Sequence, residues 1–372
     1  MRGEEAREKI KLVAAQPRKW LFGIDRAIDE LVEAMFTLIP YTAHGRKELG
    51  QAHVLLRDVP GVGKTDLIRS LSFAVGATSS LVSGHPELMP RDIMGGEIYI
   101  GHTGKFFLRK GPIFSHMFLF DEINRAHAKT QAPTLQAMEE RIAILEETDV
   151  DMKGYRKVEF PLLPVGDAPD ERRLFFWFLA TANPVEQEGT YELPEAQLDR
   201  FTYSLRIGYP ARDCEMRIRA GNVVGGSDGV RPTIENVISL PEALDVSELI
   251  FKEIESSGGQ AKRANEYIQR LVENSRPESA ARASAKKSLR DCVDLNVRMK
   301  GGLSPRANFH FEAAARTNAF LHGNGRFVTV DDVKSVAVRI MNHRIQLTGS
   351  AKGRGITGED VAREIIEGTV AP

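Results

Sequence analysis

The sequence predicts an α/β domain, with a parallel sheet between helices, followed by an all-α domain; three observations carry that prediction. A short apolar run, Val54–Leu56, feeds a glycine-rich turn that opens a helix over Asp66–Val75. Leu67, Ile68, Leu71 and Ala74 share one face of that helix and Gly76 stops it. Two further runs, Met117–Phe120 and Leu174–Ala180, are apolar without alternation, which suits strands buried on both faces of a parallel sheet. After Pro210 such runs disappear, and Ala, Arg, Lys and Glu dominate.

The remaining elements follow along the chain. Residues 4–38 read as helical, with Ile24, Ala27, Ile28, Leu31, Ala34 and Met35 at helical spacing. Glu97–Ile100 and Lys105–Leu108 flank a His-Thr-Gly tip and read as a hairpin within an insert at about 84–112. A second insertion spans about 142–173. Residues 246–275 and 279–296 read as amphipathic helices. Ser304-Pro305 opens another, with Ser as N-cap and Pro at the first helical position, and it stops at Gly323. Thr329-x-x-Asp332 opens a further one with capping-box spacing. The expected domains are an N-terminal helical segment at 1–50, an α/β core at 51–210, a helical domain at 211–346 and a tail at 347–372. That tail is glycine-rich before a short helix near Glu359–Glu367.

Bulk composition bounds the function class. The chain has 372 residues, 42% apolar and 27% charged, enough for two or three domains with real cores. A net charge of −1 and a pI of about 6.8 advertise neither nucleic acid nor an acidic membrane as partner. The opening Met1-Arg2-Gly3-Glu4-Glu5 is charged with no apolar stretch behind it, so no secretory leader is expected. The densest apolar run, Leu174–Ala180, is too short to span a bilayer. Cys214 and Cys292 share no metal-binding or disulfide spacing, no H-E-x-x-H occurs, and a reducing cytoplasmic setting is the simplest fit.

Two motifs carry chemistry. In Val59-Pro60-Gly61-Val62-Gly63-Lys64-Thr65-Asp66 a strand feeds a glycine-rich turn that opens a helix, the context a P-loop requires. Glycines let backbone N–H groups approach phosphates, and the helix N-terminus adds its positive end. Lys64 is expected to reach the β- and γ-phosphates of ATP, and the Thr65 hydroxyl to ligate Mg²⁺. The pattern departs from G-x-x-x-x-G-K-[ST] at its first glycine, where Asp58 stands. The second motif is Asp121-Glu122, at the end of Met117–Phe120. A buried strand delivers both acids to the carboxyl edge of the sheet, beside the P-loop, with Asp121 expected to hold Mg²⁺ through water and Glu122 to polarise the attacking water. The guanine-reading N-K-x-D of GTPases is missing. Ser256-Ser257-Gly258-Gly259-Gln260 looks like the ABC signature but follows both motifs instead of lying between them.

A third strand ends Ala180-Thr181-Ala182-Asn183-Pro184, and Leu193–Phe201 (LPEAQLDRF) follows it. Together with Asp121–Ala126 (DEINRA) and Leu303–Ala307 (LSPRA), these residues resemble the AAA+ ATPases, and specifically the MoxR family, over roughly residues 20–346. The resemblance implies a P-loop AAA+ core followed by an α-helical lid. It also implies active sites between subunits of a homo-oligomeric ring, usually a hexamer. It assigns Asn183 to sensor 1, Arg200 to an arginine finger supplied to the neighbouring subunit, and Arg306 to sensor 2, pointing from the lid towards the γ-phosphate. The insert at 97–108 and the segment 142–173 match the helix-2 insert and the pre-sensor-1 insertion. Tyr99, Phe106 and Phe107 then either grip a partner or pack onto the sheet. The implied function is a chaperone-like motor acting on a protein partner, often one with a von Willebrand factor A domain. An ATP-gated scaffold of low turnover is the alternative, and a nucleic-acid motor ranks below both.

Overall fold

The computed structural model describes residues 2–43, 46–57, 61–102, 105–149, 154–162, 175–183, 189–219, 233–256, 258–276, 299–323 and 325–372. Helices α1 (Gly3–Arg18) and α2 (Asp25–Phe36) lead into strands β1 (Leu38–Ala43), β2 (Arg46–Gln51) and β3 (Val54–Arg57), then α3 (Lys64–Ala74), β4 (Ser79–Ser83) and α4 (Pro90–Met94). Next come β5 (Gly95–Ile100), β6 (Lys105–Lys110), β7 (Met117–Asp121), α5 (Ala128–Glu140), β8 (Ile142–Asp149), β9 (Gly154–Pro161), β10 (Trp177–Ala182), α6 (Glu195–Leu198) and β11 (Tyr203–Leu205). The rest is helical: α7 (Arg212–Arg219), α8 (Leu240–Glu253), α9 (Lys262–Asn274), α10 (Ala307–Leu321), α11 (Val330–Met341), α12 (Gly349–Gly353) and α13 (Gly358–Gly368). A small antiparallel ribbon of β12 (Met299–Gly301) and β13 (Gln346–Leu347) interrupts it.

The five-stranded sheet has the order β11-β3-β10-β7-β4, and every neighbouring pair is parallel. Alternate residues serve opposite faces, as strand geometry demands. Val54, Leu56, Met117, Leu119, Trp177 and Leu179 join the core shared with α1, α2, α3 and the helical domain. Leu55, Phe118, Phe120, Phe176, Phe178 and Ala180 pack with Ile93, Leu135 and Met138 on the other side. Burial on both faces is why these strands carry no alternation in sequence.

Two ion pairs, the first buried on both sides and the second on its arginine side, fasten the helical domain to this core. Arg339 of α11 makes a bidentate pair with Glu33 of α2, at 3.0 and 3.1 Å, beside the Tyr203 ring. Arg344, just after α11, pairs with Asp199 at 2.9 Å. Removing one partner of the Arg339–Glu33 pair strands a buried charge and costs about 3–5 kcal/mol.

Several expectations are revised. The helical stretch 4–38 divides into two helices, and the turn between them contains Gly23 at φ +78°. A β1–β2 hairpin follows, so the segment 1–50 is not wholly helical. The stretch 246–275 is likewise two helices, α8 and α9. Within 142–173, β8 and β9 pair antiparallel from Ile142↔Pro161 to Asp149↔Gly154. The tail does not stand apart: α13 buries Val361, Ala362 and Ile365 in the main core, and Thr357 caps it reciprocally with Asp360. The Ser304-Pro305 start is displaced, because the helix begins at Ala307, after a turn in which Arg306 N–H donates to Ser304 Oγ. The expected helix at 279–296, Cys292, Ser257, Asp58, Val59, Pro60, Leu174 and Pro184 lie outside the described residues. Among the described residues no helix is long and apolar enough to cross a membrane.

Candidate active site

At the end of β3 the chain turns through Gly61, at φ +85°, and Gly63, at φ +77°, before Lys64 opens α3. A side chain in that left-handed region is strained, and Gly63 is the N-cap of the helix, so the turn needs glycine there. A Cβ on Gly61 would meet nothing within 4 Å, so its backbone faces open space. That space is a cavity of about 320 Å³ lined by Gly61, Gly63, Lys64, Thr65, Asp66, Asp121, Glu122, Thr181 and Asn183. Val62 does not line it; its side chain is buried in the main core and anchors the turn from below.

The acids come from β7, whose neighbours β10 and β4 shape their backbone. Glu122 sits at φ +50°, in a region that costs a non-glycine residue roughly 1–2 kcal/mol. Thr181 holds it there: Glu122 N–H donates to Thr181 Oγ1 at 2.7 Å, and that hydroxyl donates onward to Asp121 Oδ1 at 2.6 Å. From β4's side, Gly84 N–H donates to Asp121's carbonyl at 2.7 Å. A Cβ on Gly84 would stand 2.2 Å from Glu122's carbonyl oxygen, so only glycine allows this approach. Arg125 Nη1 donates to Glu122 Oε2 at 2.9 Å. Asn183 follows β10, and its carbonyl accepts from Asn124 Nδ2 at 3.2 Å. The cavity therefore offers a backbone cradle at a helix N-terminus, the Lys64 ammonium, the hydroxyls of Thr65 and Thr181, the carboxylates of Asp66, Asp121 and Glu122, and the Asn183 amide. This donor set fits a polyphosphate with a hard divalent cation.

The two remaining expected residues lie elsewhere. Arg200 Nε is 2.8 Å from Glu139 Oε2, and Arg306 Nη1 is 2.6 Å from Glu139 Oε1. One carboxylate at the end of α5 thus gathers both guanidinium groups, and neither lines the P-loop cavity. Arg306, expected to point from the lid towards a γ-phosphate, is engaged with Glu139 and does not line this cavity. The turn before α10 is tied to the Arg200 loop by Ser304 Oγ, which donates to Asp199 Oδ2 at 2.8 Å, and this tether carries Arg306 to Arg200.

The sequence reading missed Thr181, Gly84, Glu139, Asp199 and Arg344. A threonine near the end of an apolar strand was a usable signal for Thr181, and Asp199 stands inside the LPEAQLDRF stretch. Gly84, Glu139 and Arg344 carry no local mark of their roles.

Fold and cavity together define an α/β P-loop core of the AAA+ type with a helical lid. Residues 53–158 and 164–203 match the family model described as the ATPase family associated with various cellular activities (AAA), and residues 295–365 match the AAA lid domain. The chain is 35% identical over 327 residues to the uncharacterized protein YeaC of Bacillus subtilis, covering 87% of each chain. It is 31% identical over 356 residues to chaperone MoxR1 of Mycobacterium tuberculosis, covering 95% of this chain and 81% of that one. A crystal structure from Cytophaga hutchinsonii, whose protein carries a provisional ATPase name, superposes with a TM-score of 0.77 at 29% identity, over 100% of this chain and 97% of that one. The chain belongs to the MoxR family of AAA+ ATPases.

Proposed function

We propose that this chain hydrolyses Mg-ATP at sites shared between copies of itself in a ring, and that the ring remodels or activates a protein partner. The observation that carries the reading is the division of the site. The phosphate cradle and both acids meet in one cavity, while Arg200 and Arg306 converge on Glu139 outside it. In this reading a second copy supplies Arg200 to the bound phosphate.

Each residue then has a task. Gly61, Gly63 and the first turn of α3 bind the phosphates by backbone N–H groups, with Val59, Pro60 and Val62 completing the loop and Asp66 at the cavity wall. Lys64 places its charge between the β- and γ-phosphates. Thr65 and Asp121 are the residues that would hold Mg²⁺, which when bound neutralises charge on those phosphates. Glu122, fixed by Thr181, accepts a proton from the attacking water, a task worth about 10²–10⁴ in rate. Asn183 orients that water. Arg200 from the neighbouring copy stabilises charge on the transferred group, worth about 10³–10⁵, and Arg306 travels with it.

The family supports a ring, with a hexamer as the expected count, and a protein client; a von Willebrand factor A domain is the partner class the resemblance favours. One observation favours a second reading, an ATP-gated scaffold of low turnover. Glu122 Oε2 is engaged by Arg125, an ion pair that competes with its action as a base. ATPase assays separate the two. Glu122→Gln is expected to bind ATP as wild type does and to turn over about 10²–10⁴ times more slowly. Equal turnover in both proteins would remove the catalytic role of Glu122, and a wild type that assembles on ATP without hydrolysing it would establish the scaffold.

A further inference from the structure

Residues 199–202, which include Arg200, belong to no helix or strand: α6 ends at Leu198 and β11 begins at Tyr203. A loop of that kind has no ladder to hold it. Its N–H groups bond within the core, those of Asp199, Arg200 and Phe201 to the carbonyls of Glu195, Gln197 and Leu198 and that of Thr202 to His53's; three of its carbonyls are held from the lid, mostly by one side chain. A guanidinium has five N–H donors in a planar fork, and Arg344 spends all five. Its Nε donates to Asp199 Oδ1 at 2.9 Å, and its Nη1 to the carbonyls of Thr202 at 3.2 Å and Ile340 at 2.6 Å. Its Nη2 donates to the carbonyls of Asp199, at 3.1 Å, and Phe201. Four of the five acceptors flank Arg200 on both sides, and the fifth, Ile340, belongs to α11, the lid helix that ends just before Arg344.

The neighbours of Arg344 extend this grip. His343 Nε2 donates to Phe201's carbonyl at 3.0 Å, and Asn342 Nδ2 to Ser204's at 3.1 Å. The free oxygen of Asp199 receives Ser304 Oγ, two residues before Arg306. Arg344 itself touches neither Arg200's guanidinium nor the P-loop cavity, and its side chain is only 2% exposed.

We infer that Arg344 is a positioning residue that sets the aim of Arg200, so that the lid and the arginine half of the site move as one rigid body. The inference rests on the reading of Arg200 as a group supplied to a neighbouring copy. Mechanically, a lid displaced by nucleotide in one copy carries the arginines it presents to the next, with no separate linkage needed. Chemically, Lys cannot replace Arg344: an ammonium has three donors and no fork.

Mixed rings test this. Donor chains carry Lys64→Ala and keep their arginines; acceptor chains carry Arg200→Ala and keep their P-loop. Mixing them is expected to restore ATPase, and no recovery would remove the shared-site reading and this inference with it. Where the parents recover, Arg344→Lys is then added to one side at a time. In the donor it is expected to lower the recovered rate by about 10²-fold, the effect of a misaimed group. In the acceptor it is expected to leave the recovered rate within about twofold, less than a 1 kcal/mol change in barrier. Equal losses on both sides would make Arg344 a general structural residue, and no loss on the donor side would make it dispensable; either result overturns the inference. Asp199→Asn keeps shape and acceptor but not charge. It is expected to give the same asymmetry at about tenfold, a hydrogen bond to a charged group being worth about 1.5–3 kcal/mol, and a symmetric loss there would overturn the inference should Arg344→Lys not fold.

Discussion

The two halves of the proposed site are built on opposite plans. The P-loop half is local: the cradle, lysine and threonine lie within Gly61–Thr65, and both acids are consecutive at the end of one strand. The arginine half is assembled from α5, the loop after α6, the start of α10 and the end of α11, through Glu139, Arg200, Arg306 and Arg344. A motif that must wrap one ligand can be short, because backbone geometry does most of the binding. A group that must reach another molecule has to be aimed, and aiming takes packed elements and buried hydrogen bonds from several parts of the chain. The first half can be lost by one substitution. The second can be lost while every residue that touches ligand stays intact.

The largest expected effect breaks the halves apart. Arg200→Ala is expected to reduce ATP turnover by about 10³–10⁵ while leaving the affinity for a fluorescent ATP analogue unchanged, because Arg200 does not line its own chain's cavity. Weakened nucleotide binding in the dilute, unassembled variant would mean the halves are not separate. Thr181→Val tests the local half. It removes the hydroxyl that bonds both acids, a contact to a charged group worth about 1.5–3 kcal/mol, so a loss of about 10–100-fold in kcat is expected with the fold retained. Unchanged kcat would show that Asp121 and Glu122 hold their places without it.

The smallest effect is one of stability and belongs to the lid junction. Burial pushes His343 well below its ordinary value, with the Arg344, Arg57 and His310 charges acting in the same direction and the Phe201 carbonyl opposing. The unfolded chain takes up a proton near pH 6.5 that the folded chain refuses, so His343 subtracts stability as pH falls below about 6.5 and has no effect above it. The slope is at most about 1.4 kcal/mol per pH unit. His310, buried beside Arg344 and Arg306, acts in the same sense. Urea unfolding of His343→Gln between pH 7 and pH 5 is expected to show a shallower acid loss than wild type, and parallel curves would show that His343 takes up its proton in the folded state.

The parallel sheet, the P-loop and the acids were legible in the sequence because each depends on neighbours in the chain. The unalternating runs at Met117–Phe120 and Trp177–Ala180 declare burial on both faces, and glycines beside Lys64 declare the turn. The β1–β2 hairpin was not legible: Arg46-Lys47-Glu48 is a run of charges with no apolar alternation, and only pairing with Leu38–Ala43 makes it a strand. Nor was the docking of α13, since a stripe of Val361, Ala362 and Ile365 does not name the surface that covers it. In the site, Thr181 lies about 60 residues from the acids it bonds, and Arg344 is 145 from Asp199. Local pattern carries no record of such distances. The family motifs flagged Arg200 and Arg306 singly; their meeting on Glu139 is a fact of the fold alone.

The central claim is that one chain holds only part of a working site. It is tested most directly by the ATPase rate per chain of the wild-type protein, measured over a dilution series with the assembly state of each sample followed by sedimentation. The rate per chain is expected to rise with the assembled fraction and to fall towards zero as monomer takes over. A constant rate per chain in samples that sediment as monomer would contradict the account, because Arg200 and Arg306 would then have no part in hydrolysis.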